Sequence, residues 1–330
     1  MSRPLSRPAP EVAMPRSAAT PSSRAAGPAL LAAILPTATL LLVTAIWGST
    51  FFMLKDALDL VGAADFLAVR FAIAGGVACA LSWRRLRALN RAQALAGIGV
   101  GAVYGLAQIA QTVGLRYTPA STAGFVTALY VVITPMLALV LLRTRVPRVT
   151  WPAAVLALSG VSALSLDGLA PGAGIPLLLA SAFLYALHIV LLGRLVHGQD
   201  PLSLTALQML GICAVLWPAA LPGGARVPMA WGVWGPLLWM ALASGLLALL
   251  LQTWAQARMS ATRAVVVMSL EPVFASLFAI LAGQEPMTWR LGVGGGLALA
   301  AMLLSELGPV VRAEGLARRG GRAASGIRSA

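Results

Sequence analysis

Glu271 lies in the middle of an apolar segment, within the run Ser269-Leu270-Glu271-Pro272-Val273. If that segment crosses a bilayer, a carboxylate at its centre costs about 2.5–3.5 kcal/mol on insertion scales, which makes the residue a candidate functional group by default. A carboxyl group in such a place can bind and release a proton during a cycle. The alternative is structural, because Pro272 frees the carbonyl of Met268 from its helical donor and a protonated Glu271 could donate to a carbonyl freed in this region.

Two further ionisable side chains, Arg70 and His188, also lie inside apolar segments. Arg70 could extend its head toward the membrane surface, pair with an acid or hold an anionic substrate group, and we interpret it first as a structural charge. The equivalent position in the second half of the chain, 138 residues on (208 − 70), is Gln208, so the polarity was duplicated but the charge was not. His188 is a candidate proton relay, although a single histidine is more often a hydrogen-bonded core residue.

Tyr104, Gln108 and Gln111 are spaced four and three residues apart, which places them on one face of a helix. A polar stripe facing lipid would leave its hydrogen-bonding groups unsatisfied. This face is therefore expected to look into a helix bundle or a water-filled cavity. Gln252 and Gln256 repeat part of the stripe in the second half.

Aromatic residues accompany these amides, and together they complete the predicted site. Amides beside aromatic rings suit an amphipathic organic substrate, although a Trp near the middle of a helix is more often plain packing. The sequence contains no HExxH, GxSxG or Walker motif, so it predicts no enzyme, no catalytic residue, no metal site and no cofactor. The predicted site residues are Trp47, Tyr104, Gln108, Gln111, Tyr130, Tyr185, His188, Gln252 and Glu271, with Arg70 as a structural charge.

The composition indicates what kind of scaffold must position these residues. Of 330 residues, 59% are hydrophobic and 10% are charged. Soluble domains are about 45–50% apolar and about 25% charged, so the chain is not a soluble globular protein. Apolar segments of about 20 residues, the length that a helix needs to cross a bilayer, can be placed at 33–55, 63–83, 93–115, 119–142, 149–167, 174–194, 201–221, 233–257, 261–283 and 287–307. The predicted fold class is an all-α polytopic membrane protein with ten transmembrane helices.

The ten segments form two copies of a five-helix unit. Gln111-Thr112 recurs as Gln252-Thr253, 141 positions on (252 − 111), and Thr150-Trp151 recurs as Thr288-Trp289, 138 positions on (288 − 150). Because five is odd, the second copy enters the membrane from the opposite face, and the halves are inverted repeats. The predicted domains are a disordered cytoplasmic tail (1–32), a first repeat (33–167), a second repeat (174–307) and a basic cytoplasmic tail (308–330).

The net charge of +14 would suggest a nucleic-acid partner in a soluble protein, but the distribution of the basic residues explains it better. With both termini inside, 19 of the 24 Lys and Arg residues fall on the cytoplasmic side, and Arg70 lies within a helix. The outer side keeps Lys55, Arg116, Arg226 and Arg290. The positive-inside rule then predicts an N-in/C-in orientation. A signal peptide or an organellar transit peptide is the alternative interpretation of the Arg-rich start.

The chain resembles the EamA type of the drug/metabolite transporter superfamily over roughly residues 35–307. The resemblance rests on Trp47-Gly48-Ser49-Thr50-Phe51, the Arg70 helix, Tyr117-Thr118-Pro119-Ala120-Ser121-Thr122-Ala123, Ser260-Ala261-Thr262-Arg263-Ala264 and the run around Glu271. It implies ten helices in two inverted repeats, a central cavity, and export or exchange of small metabolites such as amino acids across a bacterial inner membrane. The chain departs from the family at Leu129-Tyr130-Val131-Val132, where many relatives carry Ser-Pro.

These observations favour a secondary transporter, in the exporting direction, that moves a small organic metabolite by alternating access. A passive facilitator or channel, with a structural Glu271, is the first alternative. A membrane scaffold or sensor subunit is the second. The expected partners are a small-molecule substrate, the lipid bilayer and protons, and the GxxxG of Gly292 and Gly296 would allow a homodimer.

Overall fold

The computed structural model describes residues 26–50, 53–54, 57, 60–117, 120–143, 146–165, 174–224, 226–229, 231–283, 287–290 and 292–304. The chain divides into two units, Met1–Leu35 and Pro36–Ala330, and the site lies in the second. The predicted tail 308–330 and the first 25 residues of the predicted tail 1–32 lie outside the described residues.

The first half of the chain folds into α1 (Ala26–Gly48), α2 (Ala63–Leu86), α3 (Arg91–Arg116), α4 (Ala120–Ala128), α5 (Tyr130–Leu141) and α6 (Thr150–Ser165). The second half folds into α7 (Ile175–Leu195), α8 (Pro201–Ala220), α9 (Trp231–Trp239), α10 (Ala248–Gln256), α11 (Ala261–Met268), α12 (Glu271–Leu281) and α13 (Gly292–Leu304). A π-helix, Met240–Leu247, joins α9 to α10.

Within the described ranges every regular element is helical. Six helical stretches there are long and apolar enough to cross a bilayer, and three shorter apolar helices, among them Ile34–Gly48 and Val126–Leu141, accompany them. An all-helical membrane fold is therefore confirmed. The count of ten helices and the orientation stay predictions.

Two of the predicted continuous helices are broken. The sequence analysis placed Glu271 about halfway along one helix, 261–283, and this was wrong: α11 ends at Met268 and Glu271 begins α12. The physical reason is Pro272, which cannot donate to the preceding turn but fits the first turn of a new helix. The predicted helix 119–142 is likewise divided at Leu129.

The first helix also differs from its prediction, because α1 begins at Ala26 and not at residue 33. The residues that precede the predicted start are mostly Ala and Leu, which have the highest helix propensities. Residues 26–32 of the predicted tail are therefore helical.

Glycines bring α3 of the first half against α8 of the second. A Cβ on Gly101 would lie 2.0 Å from the carbonyl oxygen of Gln208, and a Cβ on Gly211 would lie 1.9 Å from that of Ile98. Only glycine permits so close an approach, because any side chain would collide with the opposing backbone. This crossing fixes the position of α3, the helix that carries the polar stripe, along α8.

The last helices of the two halves are also in close contact. A Cβ on Gly160 of α6 would lie 2.6 Å from the carbonyl oxygen of Gly294 in α13. These glycines therefore serve packing within the chain. A Cβ on Gly292 or Gly296 would meet open space, so the homodimer stays a prediction.

Candidate functional site

The structure places all ten residues named from the sequence around one cavity. The cavity has a volume of about 70 Å³, several times the 10–15 Å³ or so that one water needs. Its wall consists of Trp47, Arg70, Tyr104, Gln108, Gln111, Tyr130, Tyr185, His188, Gln252 and Glu271, together with Thr50, Leu54, Thr112, Leu115, Thr127, Ile189, Ser244 and Met268. Both halves of the chain contribute to it.

The α3 stripe faces this cavity and is joined to α7 by hydrogen bonds. The amide nitrogen of Gln108 donates to the hydroxyls of Tyr104 (3.2 Å) and Tyr185 (2.8 Å). The Tyr185 hydroxyl donates in turn to Oε1 of Gln111 at 2.8 Å. The ring of Tyr104 packs edge-on against those of Tyr185 and His188. One wall is therefore a rigid array of aromatic rings and amides, as the spacing in α3 predicted.

Arg70 is buried, with 4% of its surface exposed, and it reaches the π-helix. Its Nε donates to the carbonyl of Met240 at 2.9 Å, and one terminal nitrogen donates to Oγ of Ser244 at 3.0 Å. Trp47 donates from its indole nitrogen to the carbonyl of Ser244 at 3.0 Å. No carboxylate among the described side chains forms a salt bridge with this guanidinium. The π-helix thus holds a cation and an indole at the cavity wall, a local geometry that is frequent at functional sites.

Glu271 lies where α11 and α12 meet, opposite Tyr130 of the first half. The carbonyl of Met268, which Pro272 deprives of its helical donor, accepts a hydrogen bond from the Tyr130 hydroxyl at 3.1 Å. The Tyr130 hydroxyl and the Glu271 carboxyl line the same cavity and interact with each other there. The sequence analysis identified the freed carbonyl and offered a protonated Glu271 as one possible donor near it, whereas in the structure its donor is Tyr130.

A second polar group adjoins the cavity at His188. The Nε2 of His188 and Oε1 of Gln208 are 2.8 Å apart, and the Gln208 amide donates to Oγ1 of Thr253 at 3.2 Å. Because Oε1 of Gln208 can only accept, Nε2 carries the proton and Nδ1 is an acceptor. Both Nδ1 of His188 and Oε1 of Gln252 are buried without a partner among the described residues. This edge of the cavity therefore offers acceptors to a donor group.

Eight wall residues were not among the site residues predicted from the sequence. Gln208 and Thr253, which form a hydrogen-bonded chain with His188, were not among them either. Ser244 carried a usable signal, because it lies eight residues before Gln252, on the same helical face. Thr253 was visible only as part of the repeated Gln-Thr pair. For the apolar residues of the wall, such as Leu54 and Ile189, the sequence gives no signal that separates them from packing. In the described part of the chain no three His, Cys, Asp or Glu side chains are close enough together to hold a metal.

Comparison with known proteins agrees with this architecture. The model of the EamA-like transporter family matches residues 35–166 and again 172–307. A protein of Archaeoglobus fulgidus, described as an uncharacterized transporter, is 31% identical over 274 residues, which cover 81% of this chain and 84% of that protein. A solved crystal structure superposes with a TM-score of 0.69 at 19% identity and covers 83% of this chain and 96% of its own; it supports the fold alone.

The chain belongs to the EamA-like transporter family, which is part of the drug/metabolite transporter superfamily. The duplicated family match and the apolar helices make it a multi-pass membrane transporter. The matched family is a family of transporters.

Proposed function

We propose that this protein is a secondary transporter that exports a small zwitterionic metabolite, an amino acid or a related compound, across the inner membrane. The observation that carries the proposal is that a guanidinium, that of Arg70, and a carboxyl, that of Glu271, lie on the wall of one cavity. A buried cation and a partly buried carboxyl are costly in a membrane, and both lie where a ligand would bind.

Arg70 suits the carboxylate of such a ligand. A guanidinium has five N–H donors, and two of them are used by Met240 and Ser244. The other three donors have no hydrogen-bond partner among the described residues and remain for a ligand or water. A guanidinium can bind a carboxylate through two parallel hydrogen bonds, which gives orientation as well as affinity.

The opposite end of the ligand would meet acceptors. The carboxyl of Glu271, Nδ1 of His188 and Oε1 of Gln252 belong to residues of the same wall. An ammonium group has three donors and no acceptor, so it matches such a set. Trp47, Tyr104 and Tyr185 would cover the apolar part of the ligand, and Gln108 and Gln111 would bind polar atoms.

Glu271 is also the residue proposed to couple transport to a proton gradient. It begins a half-helix within a broken span, and interrupted helices at the interface of two repeats commonly carry substrate and ion sites in transporters. Alternation of the two halves around the cavity would then expose Glu271 to each side in turn. No nucleotide-binding motif is present in the sequence, so an ion or substrate gradient is the energy source that fits.

The test is uptake of a panel of labelled amino acids into proteoliposomes, with and without an imposed pH gradient. Glu271→Gln keeps the shape and the hydrogen bonding of the side chain but cannot titrate. We expect the variant to fold and to lose all dependence of transport on the gradient. Full, still proton-driven transport by this variant would overturn the coupling role and favour the passive facilitator. Absence of transport of any candidate solute, with a fixed copurifying partner, would favour the scaffold.

A further inference from the structure

The two broken spans of the chain are interrupted at equivalent positions. Tyr130 begins α5 and Glu271 begins α12, and they are 141 positions apart (271 − 130), the same interval that separates the repeated Gln-Thr pairs. The duplicated fold therefore brings two equivalent half-helix starts together at the cavity, one with a phenol and the other with a carboxyl.

The Tyr130 hydroxyl has a single proton and two neighbouring acceptors. It donates to the Met268 carbonyl at 3.1 Å, and it interacts with the Glu271 carboxyl on the same cavity wall. A hydroxyl can donate one hydrogen bond but can accept another. Tyr130 can therefore donate to Met268 and accept from Glu271 only while Glu271 carries a proton.

We propose that Tyr130 is a positioning residue that links the protonation of Glu271 to the break between α11 and α12. While Glu271 is a carboxylic acid, its O–H points to the Tyr130 oxygen, and the Tyr130 hydroxyl closes the free carbonyl of Met268. When Glu271 gives its proton to water in the cavity, the hydroxyl turns to the carboxylate, because an ionised acceptor makes the stronger hydrogen bond. The carbonyl of Met268 then loses its donor, and the end of α11 loosens.

The other two tyrosine hydroxyls of the wall are already engaged in hydrogen bonds. The Tyr185 hydroxyl already donates to Gln111, and Tyr104 accepts from Gln108. The titratable or charged groups that share the cavity wall with Glu271 are Arg70, Tyr104, Tyr130, Tyr185 and His188. The described residues of α1, α4, α6 and α13 carry no titratable side chain. A free imidazole changes its charge between pH 5 and 8, so His188 is the other group of the wall whose response the test must separate from that of Glu271.

The test is hydrogen–deuterium exchange of the full-length protein in detergent, followed on peptides that contain residues 265–274. Measurements well below and well above neutrality are corrected for the intrinsic pH dependence of amide exchange. We expect the wild type to exchange faster at high pH in this segment, on the order of fivefold, which corresponds to the loss of one hydrogen bond. Tyr130→Phe should exchange at the faster rate at both pH values.

Glu271→Gln is the second variant, because its amide can donate to Tyr130 at every pH. It should stay at the slower rate at both pH values. A pH response that persists in Glu271→Gln would assign it to His188 and overturn the proposal. Tyr117→Phe, which removes the hydroxyl of an exposed tyrosine away from the cavity, is the matched control and should behave as the wild type.

A wild-type pH response in Tyr130→Phe, or no response in the wild type, would also overturn the proposal. The inference deepens the proposed function, since a proton-coupled step needs a structural consequence of protonation. Exchange is measured without any substrate, so a failure to find transported cargo leaves this test intact. Conversely, the protein could show proton-driven transport while exchange in residues 265–274 does not depend on pH. That result would reject the link through Tyr130 and leave the proposed function standing.

Discussion

Arg70 and Gln208 occupy equivalent positions in α2 and α8 but have opposite surroundings. Arg70 lines the cavity and keeps unused donors, whereas Gln208 is completely buried outside the cavity wall. Gln208 is closed in by His188, by Thr253 and by the backbone of Gly101. The two halves thus share a scaffold, but this position holds a charge at the cavity wall in the first half and a closed packing point in the second.

The duplication therefore fixes where the polar side chains lie, but their neighbours decide whether those side chains can bind a ligand. α3 crosses α8 at Gly101 and fills the space above Gln208. The neighbour of Arg70 is the π-helix, whose Met240 carbonyl and Ser244 hydroxyl accept from the guanidinium and leave one side of it open. Function can therefore be asymmetric although the fold is repeated.

The largest effect is expected from Gln208→Arg, which gives the second half the same charge that Arg70 provides in the first. The new guanidinium would lie fully buried with no acid beside it among the described residues, and it would also break the bonds to His188 and Thr253. An uncompensated buried charge costs about 3–5 kcal/mol, so we expect little folded protein. The measurement is the yield of monodisperse protein after detergent extraction. A normal yield and an unchanged melting temperature would show that the position is not closed.

A smaller effect is expected when the first half is made like the second, with Arg70→Gln. Gln can still donate to Met240 or Ser244, so the protein should fold. Loss of a charge-assisted hydrogen bond costs about 1.5–3 kcal/mol, which corresponds to roughly 10–100-fold weaker binding of a ligand carboxylate. The measurement is competition between an amino acid and the amine that lacks its carboxylate. Only the amino acid should lose affinity, and an equal loss for both would make Arg70 purely structural.

The smallest effect concerns how the two helices begin. Asp200 caps α8 by accepting from the amide of Ser203 and pairs with Arg85, whereas Gly62 gives α2 no side-chain cap. Asp200→Ala should cost about 0.5–2 kcal/mol, as for other N-caps, and Asp200→Asn should cost less because it keeps the cap. Thermal denaturation in detergent measures both. An Ala variant as stable as the wild type would show that the cap contributes nothing.

The same site gives a pH dependence with a defined sign. Burial alone would raise the pKa of Asp200, but the hydrogen bonds from Ser203 and Arg85 together lower it below the ordinary value of 3.8. A carboxylate whose pKa is lowered by folding stabilises the protein above its unfolded pKa, and this stability is lost as the pH falls through the folded value. The difference between wild type and Asp200→Asn should therefore shrink in acid. The difference in stability should be small at every pH, because Asp200 and Arg85 are both well exposed.

Much of the candidate site could be placed from the sequence. The spacing of Tyr104, Gln108 and Gln111 is enough to define a helical face, and a polar face in an apolar helix must turn away from lipid. Glu271 and Arg70 were recognisable because ionisable residues in apolar segments are rare. The partner of Arg70 could not be predicted, since it is a carbonyl of a π-helix 170 positions away. The sequence gives no signal for a backbone partner, because every residue supplies the same carbonyl group.

The sequence by itself determined the membrane class, the helical fold and the internal duplication, because composition, segment length and repeated motifs act locally along the chain. It could not determine which half-helix starts face each other or that α3 lies on the backbone of Gln208. Those facts depend on close packing between distant segments, where one glycine decides whether two helices touch. Tyr130 illustrates the limit: its hydroxyl reaches Met268 only because tertiary packing brings two broken helices to the same cavity.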